Sequence, residues 1–249
     1  YFVTPTGGTR VELGRADSVH ASDHPGRVWL VSYEPAGRMR TREVDLTGRE
    51  VTPARSLSGS VVGSAGTGLV VSLHDAHFLL ERDGSSRLLF HGSLVGAGGG
   101  RIAYRSCVTL DDCGLRVLDV NGGGERAIEL PGRPPLDSFT LVPWAPASFS
   151  PDGARLAVLL PSPASYLVVI DVGSGETVFQ VTVPVEAGPL NVAWSPAGDR
   201  LFWASGSSLA GTWRVGEPEA DRVLLPVPRP WWGLAVLRSH EPDRRLERL

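Results

Sequence analysis

Lysine is absent from this sequence of 249 residues, and sulfur-containing residues and long apolar runs are scarce. A transmembrane helix needs about 20 consecutive apolar residues, so no segment is expected to span a bilayer. All of the positive charge comes from arginine, and the formal net charge is only −3. Nothing in this balance steers the protein toward nucleic acid or an anionic membrane.

Motifs of catalysis and of cofactor binding are also missing. No G-x-S-x-G nucleophile elbow occurs, although serine is plentiful. The glycine-rich run 96–100 precedes a strand-like segment, so it lacks the helix N-terminus that a phosphate-binding loop uses. Asp111 and Asp112 do not have the spacing of a calcium-binding loop. We therefore expect no enzyme activity, no cofactor and no metal site.

The two cysteines, Cys107 and Cys113, are close together and flank a polar segment. Their spacing does not match a C-x-x-C redox motif, and a zinc site would need a second pair. We predict a disulfide, which would add about 2 kcal/mol of stability by closing so short a loop; two reduced thiols are the alternative. An oxidised pair would place the protein outside the cytosol. Because the chain begins at Tyr1 rather than Met, a signal or membrane anchor before Tyr1 is left open.

Glycine and proline are abundant, with 30 and 20 residues, which suits many short strands joined by tight turns. Six segments share one pattern, in which a glycine-containing turn precedes an apolar strand. These strands begin at residues 28, 69, 102, 156, 201 and 234, a mean spacing of about 41 residues. A period of about 40–45 residues with four strands per unit is typical of β-propeller blades.

Further strands complete each unit. A short segment of small residues, such as 61–64, precedes each turn and suits the crowded centre of a propeller. Third and fourth strands follow, such as 115–120 and 126–130, with turn residues between them. The last unit has only two strands, around residues 231–237, and the N-terminal segments 1–4 and 9–13 supply the missing two.

The repeats therefore predict an all-β fold, a six-bladed β-propeller of four-stranded blades. It would form a single domain over residues 1–240, with its last blade assembled from both termini. Residues 241–249 are interpreted as a charged, solvated tail. Five or seven blades stay open because the interval 102–156 is long, and an open array of similar hairpins in a β-sandwich is the alternative fold.

Two turns carry a resemblance to a known fold family. Ser150-Pro151-Asp152-Gly153 and Ser195-Pro196-Ala197-Gly198 each follow an aromatic residue and lie just before an Arg-Leu pair. In this the sequence resembles TolB-type and WD-repeat propellers, and the absence of a Gly-His…Trp-Asp signature favours the TolB type. The resemblance implies a propeller fold that binds other proteins, and it implies no enzyme activity. Asp152 is expected to hydrogen-bond its own backbone.

His74, Asp75 and His77 form the densest polar cluster. Residues three apart face opposite sides of a strand, so both histidines could bind one metal ion only if the loop curls. A complete site also needs three or four donors, and we expect a solvated hairpin tip instead. His20 and His24 lie near an inner strand and its loop, where hydrogen bonding within the turn is expected rather than catalysis.

The tryptophans Trp144, Trp231 and Trp232 lie in segments that also contain prolines. Both segments precede an inner strand, so both are expected on the same face of the ring. Rigid tryptophans beside Arg229 suit a contact with a protein or a sugar. Packing between blades, where tryptophan is common, is favoured over this contact.

Two functions follow from these observations. The first is a non-enzymatic binding scaffold outside the cytosol whose partner is another protein, with Trp144, Arg229, Trp231 and Trp232 as its binding face. The second is a propeller enzyme or a binder of a small, sugar-like ligand at the central channel. Such a site draws residues from many blades, so sequence spacing cannot reveal it.

Overall fold

The structure, a computed structural model, describes residues 2–3, 10–11, 13–22, 24, 26–107, 113–129, 147–160, 166–183, 191–204 and 209–224. Within these residues the chain forms five antiparallel sheets of four strands each and one two-stranded hairpin. The strands of every four-stranded sheet lie side by side in chain order, so each sheet is a simple meander. The all-β prediction is therefore confirmed.

The strands have the following bounds. The hairpin contains β1 (Phe2–Val3) and β2 (Arg10–Val11). Sheet 1 contains β3 (Ser18–Ala21), β4 (Arg27–Glu34), β5 (Arg38–Asp45) and β6 (Glu50–Ser58), with a 3₁₀ turn at Pro35–Gly37. Sheet 2 contains β7 (Ser60–Ala65), β8 (Gly68–Leu73), β9 (Ala76–Leu80) and β10 (Ser86–His91).

Sheet 3 contains β11 (Ser93–Gly98), β12 (Arg101–Cys107), β13 (Cys113–Asp119) and β14 (Gly124–Ile128). Sheet 4 contains β15 (Ser148–Phe149), β16 (Arg155–Leu160), β17 (Tyr166–Asp171) and β18 (Thr177–Thr182). Sheet 5 contains β19 (Asn191–Trp194), β20 (Arg200–Ala204), β21 (Leu209–Arg214) and β22 (Asp221–Leu224).

The first strands of successive sheets contact one another, from β3 through β7, β11 and β15 to β19. Small residues allow this approach. A Cβ atom added at Gly63 would lie 2.9 Å from the Cβ of Ala97, and one added at Gly96 would lie 2.7 Å from the carbonyl oxygen of Ala147. The first strands therefore converge on a common axis and the other strands extend outward, which is the arrangement of propeller blades. Sheets 1–5 are called blades 1–5 below.

Apolar clusters fill the spaces between neighbouring blades. Trp29, Val31 and Met39 of blade 1 pack against Leu69 and Val71 of blade 2, and three further clusters join blades 2 to 5 in the same way. Because blades 2–4 each have a neighbouring blade on both faces, their second strands are buried at successive residues. This explains the continuous apolar runs that marked these strands in the sequence.

The blade count needs a correction. The described part of the chain forms five four-stranded blades rather than six, together with the β1–β2 hairpin, in which Phe2 pairs with Val11. That hairpin has the two N-terminal strands expected for a blade shared between the termini. The two C-terminal strands expected for it, and the tail 241–249, lie outside the described residues.

The fourth strand of blade 1, β6, was missed by the sequence analysis. It contains Pro53 and several polar residues, and it lacks the apolar run that marks the second strands. Proline is tolerated there because β6 is the outermost strand, where no further strand needs its missing N–H group.

The close approach of the inner strands predicts that Gly96→Ala will lower the free energy of unfolding by about 1–3 kcal/mol, since the added methyl group has no room against Ala147. Gly114→Ala is the matched control, because nothing lies within 4 Å of a Cβ atom at that position. Urea unfolding of both variants checks this. Equal stability of the two variants would contradict the convergence of the inner strands.

Candidate binding face

The blades present two different faces, because the connections of a meander alternate between its two ends. The turn face holds the connections from first to second and from third to fourth strands, each between two and six residues long. The loop face holds the connections from second to third strands and from each blade to the next. It includes the two longest connections between described strands, 129–147 and 183–190.

The turn face is closed by hydrogen bonds within its own turns. In blade 4 the Ser150 hydroxyl donates to Asp152 Oδ1 at 2.5 Å and accepts the Arg155 N–H at 2.9 Å, and Asp152 also accepts the Ala154 N–H. In blade 5 Ser195 makes the same bonds, but its carboxylate partner is Asp199, at 2.6 Å. The two Ser-Pro turns therefore have one geometry, and the backbone hydrogen bond predicted for Asp152 is confirmed.

Aspartates close several turns between third and fourth strands on the same face. Oδ1 of Asp45 accepts the N–H groups of Thr47 and Arg49, and Asp83 and Asp171 bind their turns similarly. The hydroxyl of Thr47 donates to Asp45 and holds the pKa of that carboxyl below its usual value. These carboxylates therefore fix the geometry of their own turns.

A buried ion pair joins blades 1 and 2. The guanidinium of Arg82 donates two hydrogen bonds to the carboxylate of fully buried Glu43, at 3.0 and 2.9 Å. Ser22 and Thr52 also donate to Glu43, at 2.6 and 3.0 Å. Burial alone would raise the pKa of Glu43, but the hydrogen bonds from Arg82, Ser22 and Thr52 hold it below its usual value. The network joins Glu43 of blade 1 to Arg82 of blade 2, so we assign it to blade packing rather than to chemistry.

His20 is the residue on which the channel hypothesis depends. It lies half-buried on β3, with Nε2 3.2 Å from the hydroxyl of Ser18. Burial lowers the pKa of His20 to about 4, so its ring is neutral near pH 7. The inner strands β3, β7, β11, β15 and β19 contain no Asp, Glu, Lys or Arg. The backbone N–H of His24 bonds the Ser22 hydroxyl, which agrees with the turn role expected for it.

The histidine cluster of blade 2 is only partly a solvated hairpin tip. His74, with a positive φ of 58°, and Asp75 form the two-residue turn between β8 and β9. His77, in contrast, is 5% exposed, and its ring stacks on that of Phe90 with 4.5 Å between centroids. The prediction of a solvated His77 is therefore wrong, because neighbouring strands cover this side of β9.

Asp75 pairs instead with a residue that the sequence analysis did not single out. His91 Nδ1 lies 3.6 Å from Asp75 Oδ2, and both side chains are largely exposed. His91 ends the fourth strand of the same blade, so only the sheet register brings it to this tip. Among the residues described, no group of three or more His, Cys, Asp or Glu side chains could hold a metal ion.

The loop face exposes apolar side chains between blades 1 and 2, where Tyr33 is 51% and Leu73 40% exposed. The long connection that contains Trp144 is anchored at this face, since it leaves β14 and enters β15 there. The segment with Arg229, Trp231 and Trp232 follows the end of β22, again at this face. Trp144, Arg229, Trp231 and Trp232 themselves lie outside the described residues.

The two cysteines occupy opposed backbone positions in a hairpin of blade 3. The register pairs Cys107 of β12 with Cys113 of β13. Because the Val120 N–H bonds the Gly100 carbonyl, alternation along the ladder makes the cysteine pair a non-hydrogen-bonded one. Such pairs have Cα atoms about 4.5 Å apart, within the range that a disulfide spans. The disulfide stays a prediction that this register favours.

Comparison with known proteins identifies the fold and no family. No protein-family model and no curated protein matches the chain. Among solved structures it is similar to Kluyveromyces lactis Hsv2, with a TM-score of 0.53 and 14% identity over 81% of this chain and 62% of that one. It is also similar to KlAtg21 in complex with the coiled coil of AgAtg16, with a TM-score of 0.55 and 9% identity over 81% of this chain and 68% of that one.

These neighbours are WD40-type propellers, so the propeller fold is confirmed, whereas the TolB type stays a prediction. This chain spans less than two thirds of the length of the Hsv2 structure. No helix in the described ranges is long and apolar enough to cross a membrane.

The buried ion pair predicts that Arg82→Ala will cost about 3–5 kcal/mol, because it leaves the Glu43 carboxylate buried without its main partner. Arg116→Ala, which breaks the exposed pair with Glu125, is the control and should cost under about 1 kcal/mol. Urea unfolding at pH 7 measures both costs. Similar costs for the two variants would show that the Glu43–Arg82 pair does not join the blades.

The same pair predicts an acid-sensitive component of stability. Because folding lowers the pKa of Glu43, its contribution is present above the unfolded value near 4.5 and is lost as the pH falls through the folded value. Between pH 7 and pH 3 the free energy of unfolding should therefore fall less steeply for Glu43→Gln than for the unchanged protein, as measured by urea unfolding at each pH. Parallel pH profiles would contradict this assignment.

Proposed function

We propose that this chain is a non-enzymatic binding scaffold that holds another protein on its loop face. The observation that carries the proposal is the difference between the two faces. The aspartates and serines of the turn face bind their own turns, whereas the loop face exposes Tyr33 and Leu73. Exposed aromatic and aliphatic side chains beside polar groups are typical of protein interfaces.

Two further observations support a protein partner. KlAtg21, which has a similar fold, forms a complex with a coiled coil of another protein. The segments that carry Trp144, Arg229, Trp231 and Trp232 attach to the described strands at the loop face, and tryptophan and arginine are enriched at binding hot spots. We propose that these four residues contribute to the same binding face.

A small-ligand site or catalytic site at the central channel is the second candidate. His20 favours it, as the ionisable side chain of the described inner strands. Its lowered pKa makes it an unprotonated ring without a charged neighbour on those strands. A neutral lining of small residues suits neither general acid–base chemistry nor recognition of a charged ligand, so we place the protein-binding function first.

We also propose a closed ring in which the β1–β2 hairpin forms the outer part of a sixth, shared blade. Blade 1 contacts blade 2 on one face. On the other face of blade 1 there is a smaller apolar cluster, formed by Leu13, Val28, Leu30 and Val44. A blade shared between the termini would cover that cluster and leave few sheet edges exposed. Residues 225–240 are the segment that would complete it.

An oxidised Cys107–Cys113 pair in a compartment outside the cytosol is the setting we propose for this function. The directly opposed register of the two residues supports it. We predict that the protein purified from its native source without reductant will resist thiol alkylation until it is reduced. The Cys107→Ser/Cys113→Ser variant should lose about 2 kcal/mol of stability. Rapid alkylation of the unreduced native protein would overturn both the disulfide and the proposed compartment.

Affinity capture tests the binding function directly. The chain serves as bait for the membrane and secreted fractions of its native organism, beside a Trp231→Ala/Trp232→Ala variant and a Val178→Ser control, which alters an exposed residue of an outer strand. We expect one protein in near-stoichiometric amount that the tryptophan variant loses and the control retains. If no protein is captured and small molecules raise the thermal unfolding temperature, the result would favour a small-molecule site at the central channel instead.

A further inference from the structure

Two rows of side chains run along the interface between blades 1 and 2 and reach the loop face. Alternate residues of a strand share a face, so Trp29, Val31 and Tyr33 of β4 form one row. Leu69, Val71 and Leu73 of β8 form the other. The first two residues of each row pack in the same apolar cluster, so the rows face each other.

Exposure rises abruptly at the last residue of each row. Trp29 and Val31 are 3% and 0% exposed, and Tyr33 is 51% exposed. Leu69 and Val71 are 0% and 7% exposed, and Leu73 is 40% exposed. The apolar interface therefore continues to the surface and ends there at two exposed apolar side chains, and we call this exposed end of the interface the Tyr33–Leu73 groove.

The corresponding ends of two further interfaces are closed or polar. Between blades 2 and 3, Tyr104 is buried and Ser106 follows it at the next position of the row. Between blades 3 and 4, Leu160 at the end of β16 is 5% exposed. The remaining exposed large apolar residues in the described ranges lie on first and fourth strands. The Tyr33–Leu73 groove is thus a local feature and not a general property of these blades.

Acidic groups border the groove. The exposed carboxylate of Asp17 accepts the backbone N–H of Tyr33 at 2.6 Å. The side chain of Asp75, at the hairpin tip that follows Leu73, is 79% exposed. Asp17 and Asp75 thus place two exposed carboxylates beside the groove, and the Asp75 carboxylate also lies 3.6 Å from His91 Nδ1.

We propose that the Tyr33–Leu73 groove binds a segment of a partner protein that inserts an aliphatic or aromatic side chain and carries an arginine or lysine beside it. The apolar side chain extends the cluster of blades 1 and 2, and the basic residue complements Asp17 and Asp75. The groove specifies the partner chemistry of the loop face, so this inference rests on the proposed function.

A random peptide library displayed on phage, selected against the full chain, provides the probe. We expect the enriched peptides to share an apolar residue with an arginine or lysine next to it or one position away. One enriched peptide is then synthesised with a fluorescent label, and its affinity for the chain is measured by anisotropy. A peptide in which glutamine replaces the basic residue tests the charge requirement.

Matched variants locate the binding. Tyr33→Ser/Leu73→Ser should lower the affinity for the peptide at least about tenfold, as expected for the loss of a hot spot. Leu88→Ser/Val178→Ser removes equally exposed apolar residues from outer strands and should leave the affinity unchanged. Asp75→Asn should lower the affinity for the peptide severalfold and make that affinity less dependent on salt concentration. Thermal unfolding of each variant verifies that the blades are intact.

Several outcomes would overturn the groove. Enrichment of acidic peptides, equal binding to Tyr33→Ser/Leu73→Ser, or no enrichment at all would do so. Self-association of the unchanged chain that this double variant abolishes would show instead that a second copy fills the groove. In each of these cases the proposed function stands if affinity capture still yields a partner that depends on the loop face. If affinity capture yields no such partner, the proposed function fails together with the groove.

Discussion

The close approach of the inner strands is the constraint on which the rest of this structure depends. Gly63 meets Ala97, and Gly96 meets Ala147, at distances that leave no room for larger side chains. A strand of small residues cannot supply a substantial core, so the second and third strands of each blade bury the large apolar side chains between blades. The same small residues leave the described inner strands without charge, and we therefore propose that recognition takes place at the ends of the blades.

The two ends of the blades use their polar residues differently. Asp45, Asp152 and Asp199 close turns with hydrogen bonds that are complete within each turn. Glu43 and Arg82 use a charge pair to fix blade 1 against blade 2. At the opposite end the interface of these two blades opens at Tyr33 and Leu73. One junction between blades thus combines a rigid buried ion pair with an accessible apolar groove.

Much of the fold could be predicted from the sequence, because its signals are local. A glycine turn followed by an apolar run identifies the second strand of each blade. The shared turn geometry of Ser150 and Ser195 follows from the Ser-Pro pattern, with Asp199 taking the role of Asp152. The polar strand β6 has no such signal, because an outermost strand contributes little to the core and tolerates Pro53. The last blade depends on residues at both termini, and five four-stranded blades are what the described residues form.

The candidate site depends on contacts between distant residues, and the sequence does not reveal these. Glu43 and Arg82 are 39 residues apart and meet only when two blades stack. His77 belongs to a polar sequence that is typical of an exposed tip, but its ring lies against Phe90. His91 is brought close to Asp75 by the register of β10. The alternation of Tyr33 with Trp29 and Val31 can be read from the sequence. Its exposure cannot, because that depends on where the neighbouring blade ends.

Hydrogen exchange of the chain, alone and bound to the partner recovered by affinity capture, tests the central claim most directly. Backbone amides report on each face separately, and the absence of lysine, which rules out lysine-directed cross-linking, does not affect them. The account predicts slower exchange on binding at the loop face, at 33–38 and 73–76, with unchanged exchange in the turns 45–50 and 81–86. Protection confined to the turn face, or to the inner strands, would contradict it.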